Sequence, residues 1–204
     1  MIQKLTPEEV VKVLKGAPEQ GIFDWKRDMS WEGDDKKSEV VKDIVAVANG
    51  TTASPGFVFY GVDARLPNPI LGMSKSYDDA SFQQLLLNKV DPPVEFLYYE
   101  VSHGPKVVGV VHIPPSRRRP HIIARDFGKV REGQLLIRRG SSTGAMTQSE
   151  LLEIFYGASS PYLAAVLRHY GIEPLQTLAE VARMRELREQ MEQIKRDMHE
   201  VVGF

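Results

Sequence analysis

The chain has no cysteine, which excludes disulfides, thiolate metal sites and cysteine nucleophiles together. No apolar stretch approaches the ~18 residues of a membrane span. The N-terminus, Met1 to Lys15, lacks the charged-then-apolar layout of a signal peptide and reads as an amphipathic helix. Nor is there a Gly-Lys-Ser/Thr phosphate loop, so a P-loop ATPase is not expected. The five histidines show no metal-ligand spacing. The net charge of −1 argues, taken as a sum, against a strong binder of polyanions. These absences lead to an expectation of a cytoplasmic protein with no membrane partner.

What is present is ordinary in amount and uneven in placement. Hydrophobic residues make up 42% and charged residues 26% of the chain, enough for a buried core. At 204 residues, one medium domain and an appendage are expected. Between Pro115 and Gly140 lie Arg117, Arg118, Arg119, Arg125, Lys129, Arg131, Arg138 and Arg139, opposed only by Asp126 and Glu132. A near-neutral chain with one such segment has a polarised surface.

Thr6-Pro7-Glu8-Glu9 opens a first helix with a capping box, and Gly16 closes it. Ile22 to Lys26 is a short strand, and Trp31 to Asp35 an acidic loop. Ser38 is expected to cap a second helix with Val40, Val41, Ile44, Val45, Val47 and Ala48 at helical spacing. The apolar run Phe57 to Val62 predicts a central buried strand with Asp63 at its end. A third helix is expected over Asp78 to Lys89, a hairpin over Val94 to Ile113, and strands near Ile122 to Ala124 and Leu135 to Arg138. Thr147-x-x-Glu150 starts another helix that Gly157 ends, and Ser160-Pro161 opens the next. In the last stretch, Met184, Leu187, Met191, Ile194, Met198 and Val201 alternate three and four apart, a coiled-coil seam. The expected fold is α+β: a mixed central sheet flanked by helices over 1–157, then a helical appendage over 158–204 that ends in a short coiled-coil-like helix.

Three features resemble the Schlafen AlbA-like (divergent AlbA) family. The first is Phe23-Asp24-Trp25-Lys26, with Glu19 five residues before Asp24. The second is Asp43 to Asn49, a turn, then Phe59-Tyr60-Gly61-Val62-Asp63. The third is Leu136 to Thr143, similar to the family's late strand and Arg-x-Gly-Ser turn. Together they cover roughly Glu19 to Gly157. The family's glycine cluster after Ala-Asn is replaced here by Gly50-Thr51-Thr52-Ala53-Ser54-Pro55-Gly56, which leaves fewer places for a backbone to approach a phosphate. Asp24 stands where the family has a glutamate.

The resemblance implies binding of DNA or RNA. In the Schlafen nucleases a comparably placed acidic trio is implied to hold the metal that cuts RNA, which here would be Glu19, Asp24 and Asp63 with Mg²⁺ or Mn²⁺. Lys26 is expected on the same strand face as Asp24, positioned to contact phosphate. The alternative is plain: Asp24 and Lys26 pair on a sheet surface and Asp63 caps a turn. Independently of the resemblance, the basic segment and Ser141 are expected to contact phosphates through one loop and strand face, whatever the base sequence. Tyr98 and Tyr99 are candidates to stack bases, with one of them in the core. The main expectation is nucleic-acid binding. The alternatives are a metal-dependent nuclease and a regulatory or interaction subunit with the domain as scaffold. The seam within 178–201 is expected to form a homo-oligomer or to take a partner helix.

Overall fold

In the structure, a computed structural model that describes residues 2–16, 23–51, 54–63 and 65–156, the first expected capping box is closed. Thr6 N donates to Glu9 at 2.8 Å and Glu9 N donates back to the Thr6 hydroxyl at 3.3 Å. Helix α1 follows over Pro7–Gly16. Strand β1 is Phe23–Lys26, as predicted.

Helix α2 spans Gly33–Gly50 and so begins five residues before Ser38, absorbing part of the expected acidic loop. Asp34 and Asp35 lie in its first turn, where negative charge complements the helix dipole. Ser38 is therefore not a cap. It is buried, donates to Asp35 O at 2.8 Å and accepts from Lys129 N at 2.9 Å, which ties the helix to a distant loop. The middle of α2 is buried on nearly every side, which explains why its valines and alanines do not form a narrow stripe.

Strand β2 is Gly56–Tyr60, all of it buried. Helix α3 is Asp79–Leu86, capped by Asp78. It stops short of the expected Lys89 because Asn88 takes a left-handed φ of 58°, and Val90–Asp91 forms a short strand, β3. The predicted hairpin is β4, Leu97–His103, with β5, Lys106–Ile113. Strands β6 (Ile122–Ile123), β7 (Leu136–Arg139) and β8 (Ser142–Ala145) complete the set. β8 was not anticipated: the Ser-rich segment read as a turn returns as a strand against β7.

The main sheet has the order β1-β2-β5-β4, with β1 parallel to β2 and the other pairs antiparallel. It is the mixed sheet that was expected. Alternation along β2 places Val58 and Tyr60 in the core under α2, with Phe57 and Phe59 in a second core that also holds Val10 and Leu14 of α1. Both faces are covered, so β2 carries no charged residue.

The chain divides into two compact units, Met1–Thr147 and Gln148–Phe204. The division falls before helix α4, Gln148–Tyr156, whereas the sequence pattern places it after that helix. The expected appendage helices and the 178–201 seam lie outside the described residues, as does Glu19. Among the described residues no helix is long and apolar enough to cross a membrane.

Candidate functional site

Sheet register decides which charged side chains meet. Asp24 lies opposite Val58 and Lys26 opposite Tyr60. Those partners face α2, so Asp24 and Lys26 face it too. Phe23 and Trp25 instead continue an aromatic row with Phe57 and Phe59 on the other face. From α2 comes Asp43, and from β7 comes Arg138.

Lys26 Nζ sits 2.9 Å from Asp43 Oδ2 and 3.1 Å from Asp24 Oδ2. Arg138 Nη2 is 3.0 Å from Asp24 Oδ1, and its Nε donates to Phe23 O at 2.7 Å. Asp24, Asp43 and Arg138 are all buried. Burial pushes Asp43 up to about 6, against the pull of the Lys26 ammonium. Burial works to lower Lys26, but attraction to Asp43 and Asp24 outweighs it and the ammonium is held above its ordinary range.

Asp63 follows β2 and is organised differently. Its Oδ1 accepts from Arg65 N at 3.1 Å and Arg65 Nε at 2.9 Å, while Oδ2 accepts from Arg65 Nη2 at 2.9 Å. Arg27 Nη1 stands 3.7 Å away. The Arg65 side-chain hydrogen bonds lead in lowering Asp63 to about 2. Asp63 thus caps a turn, as the plainer sequence alternative had it.

All these groups line one cavity of about 770 Å³ that opens beyond the carboxyl ends of the parallel strands β1 and β2. Crevices at that end of parallel strands are natural ligand sites, because loops diverge there. The lining holds five cations, Lys26, Arg27, Lys42, Arg65 and Arg138, against Asp24, Asp43 and Asp63, with Ser141 and Thr143 from the β7–β8 hairpin. Side-chain exposure is 67% for Arg27 and 80% for Arg65, so the rim is cationic while the floor is an ion-paired network.

The structure places Asp24, Lys26 and Asp63, expected as one set, in the same cavity as Arg138 and Ser141, expected on a separate phosphate-binding face. Arg138, however, does not present itself outward. Its alternation on β7 turns it in to Asp24, and it serves the floor of the site. Arg119 is also turned inward: its Nη1 donates to Asn49 O at 3.1 Å, a carbonyl in the last turn of α2. Arg117, Arg118 and Arg125 are exposed, as is Lys129, which pairs with Glu39 at 2.6 Å. Arg131 donates to Gly128 O at 2.6 Å and Arg139 to Ala145 O at 2.8 Å. The basic segment thus contributes to several loops and to the core, not to one continuous face.

Other candidates resolve into structure. Tyr98 and Tyr99 are both buried: Tyr98 stacks on Phe82 at 4.0 Å, and the Tyr99 hydroxyl accepts from Leu5 N at 2.8 Å. Neither offers a face to a base. Buried His121 donates from Nδ1 to Pro92 O at 2.7 Å and meets the Ser116 hydroxyl at 2.9 Å through Nε2. Asn49 clasps the same loop through His121 O and His121 N and ties it to β7 through Leu136 O. Four charged lining residues were not among the candidates read from the sequence: Arg27, Lys42, Asp43 and Arg65. Asp43 carried a signal, a lone acid between the buried valines and Ile44 of α2.

The described carboxylates do not fit a divalent ion as they stand. Asp24 and Asp43 share Lys26, Asp24 also holds Arg138, and Asp63 is gripped by Arg65. Among the described residues no three His, Cys, Asp or Glu side chains group as a metal site.

A match to the Schlafen, AlbA_2 family covers residues 19–147. The chain belongs to that family. The matched span ends where the first compact unit ends. Among solved structures, the N-terminal domain of a RecG-related protein from Nitrosomonas europaea is similar, at 17% identity over 71% of this chain and 94% of that one, with a TM-score of 0.45. No curated protein matches the chain.

Proposed function

We propose that this Schlafen AlbA_2 domain binds nucleic acid, seating a stretch of sugar–phosphate backbone at the cationic rim of the cavity. The observation that carries the reading is the convergence of five cations from four segments on one crevice, with Arg27 and Arg65 largely exposed at its mouth. Guanidinium groups match phosphate oxygens in pairs, and neutralising phosphates releases counterions. Arg117, Arg118, Arg125 and Arg139 are also exposed, on separate loops and strands. Nothing in this arrangement reads base edges, so affinity is expected to depend on salt more than on sequence.

The test is fluorescence anisotropy with single- and double-stranded DNA and RNA across a salt series. Arg27→Ala leaves Asp63 its two-pronged bond to Arg65, so the fold should hold. Affinity should fall for every sequence, and the slope of log affinity against log salt should shallow by about 0.9 for duplex DNA and about 0.7 for single strands. A parent that binds none of the four ligands refutes the proposal and leaves the scaffold reading.

A second reading, a metal-dependent nuclease, rests on Asp24 and Asp63 lining the same cavity. It requires Glu19 and a rearrangement of the ion pairs described above. Cleavage by the parent with Mg²⁺ or Mn²⁺, lost in Asp63→Asn with binding retained, would support it. No cleavage under either metal would leave a binder.

A further inference from the structure

Beside the cavity stands a short finger, Arg65-Leu66-Pro67-Asn68-Pro69. Its base is pinned from several directions. Asp63 N donates to Pro69 O at 2.8 Å, Leu66 N to Asp63 O at 3.2 Å, and Val62 bridges to Ile70. Below that, Leu71 N and Gly72 N both donate to Gly61 O, at 2.8 and 3.0 Å. Gly61 has a φ of +81°, and a Cβ there would lie 2.7 Å from Gly72 C, so the finger's two ends press together where only glycine fits. Two prolines stiffen the far side, and Arg65 is locked to Asp63 on the near side. Leu66 is one of only three large hydrophobic residues exposed among the described residues, at 41%. A single exposed leucine is commonplace. One followed by proline on a braced loop, next to an arginine that lines a cation-rimmed crevice, is a specific arrangement.

Proteins that deform nucleic acid insert apolar wedges, leucine and proline among them, between base steps while flanking cations hold the phosphates. Rigidity matters, because a loose loop would fold its leucine onto the protein surface before it could enter between stacked bases. We infer that Leu66 and Pro67 form such a wedge, which unstacks a base step of a duplex whose backbone is held at the cavity rim. The inference rests on the nucleic-acid reading above and narrows it. The preferred ligand is double-stranded and deformable, with a mismatch or a flexible pyrimidine–purine step.

The experiment uses the full chain and short DNA duplexes in which 2-aminopurine, a base that fluoresces more when unstacked, replaces adenine at successive steps. Anisotropy on the same samples reports binding separately. The parent should raise 2-aminopurine emission at or beside a mismatch. Leu66→Ser, at an exposed position, should abolish the rise and weaken binding to mismatched duplex about tenfold, while changing affinity for fully paired duplex far less. Pro67→Gly should lie between. Binding by the parent with no emission change at any step overturns the wedge and leaves the phosphate reading intact. Equal emission and affinity in parent and Leu66→Ser also overturns it. Absence of binding by the parent overturns both.

Discussion

Arg138 is the residue on which sequence pattern and structure disagree most usefully. The pattern makes it one cation in an outward basic run; the structure buries it between Asp24 and the Phe23 carbonyl. Arg138→Leu is the informative change, since leucine keeps apolar bulk and removes both contacts. Breaking one side of a buried pair typically costs about 3–5 kcal/mol, because the other charge is left desolvated. Here Lys26 stays 3.1 Å from Asp24, which softens the loss, but it also serves Asp43. The lost hydrogen bond to Phe23 O adds about 1 kcal/mol. A destabilisation of about 4 kcal/mol is therefore expected, equivalent to about 10 °C in Tm for a chain of this size. Urea denaturation followed by circular dichroism measures it. The double variant Asp24→Leu/Arg138→Leu should recover at least ~2 kcal/mol, since removing both members of a buried pair is often near neutral. A loss below ~1 kcal/mol, as for an exposed pair, would refute the reasoning. So would strict additivity in the double variant. Unchanged stability with weakened nucleic-acid binding would restore Arg138 as a surface phosphate contact.

Two other outcomes are expected. Asp43 is held at about 6 against an ordinary 3.8, so between those values the folded protein keeps a proton that the unfolded chain releases. Its contribution to stability is full below 3.8 and is lost as pH rises through about 6; Asp43→Asn should flatten the urea-midpoint profile across that window, and superimposable profiles would contradict the assignment. The seam within 178–201 is proposed to assemble the protein, so Leu187→Asp with Ile194→Asp should give a smaller particle by light scattering; a parent that is already monomeric removes the idea.

Local chemistry was legible in the sequence. The Thr6–Glu9 capping box, the apolar run that became β2, the hairpin around Gly104 and the family motifs follow from short-range rules that act within a few residues. The start of α2 was missed because Gly33, Asp34 and Asp35 carry no apolar signal; an exposed first turn needs none.

By itself, then, the sequence determined an α+β domain with a mixed sheet, its family, and the acids and bases from which a site could be built. Only tertiary structure decided what those charges do. Asp24 and Lys26 face α2 because the parallel register with β2 sets them opposite Val58 and Tyr60. Asp43 and Arg138 then reach them from other elements of the chain, and Arg65, held by Asp63, lines the same cavity. A run of arginines in sequence is a statement about charge density; whether each meets a phosphate, a buried carboxylate or a helix-end carbonyl depends on which backbone groups the fold leaves without partners. Arg119 turns inward to the Asn49 carbonyl and Arg138 to Asp24 and the Phe23 carbonyl, while Arg27 and Arg65, outside the run, hold the rim.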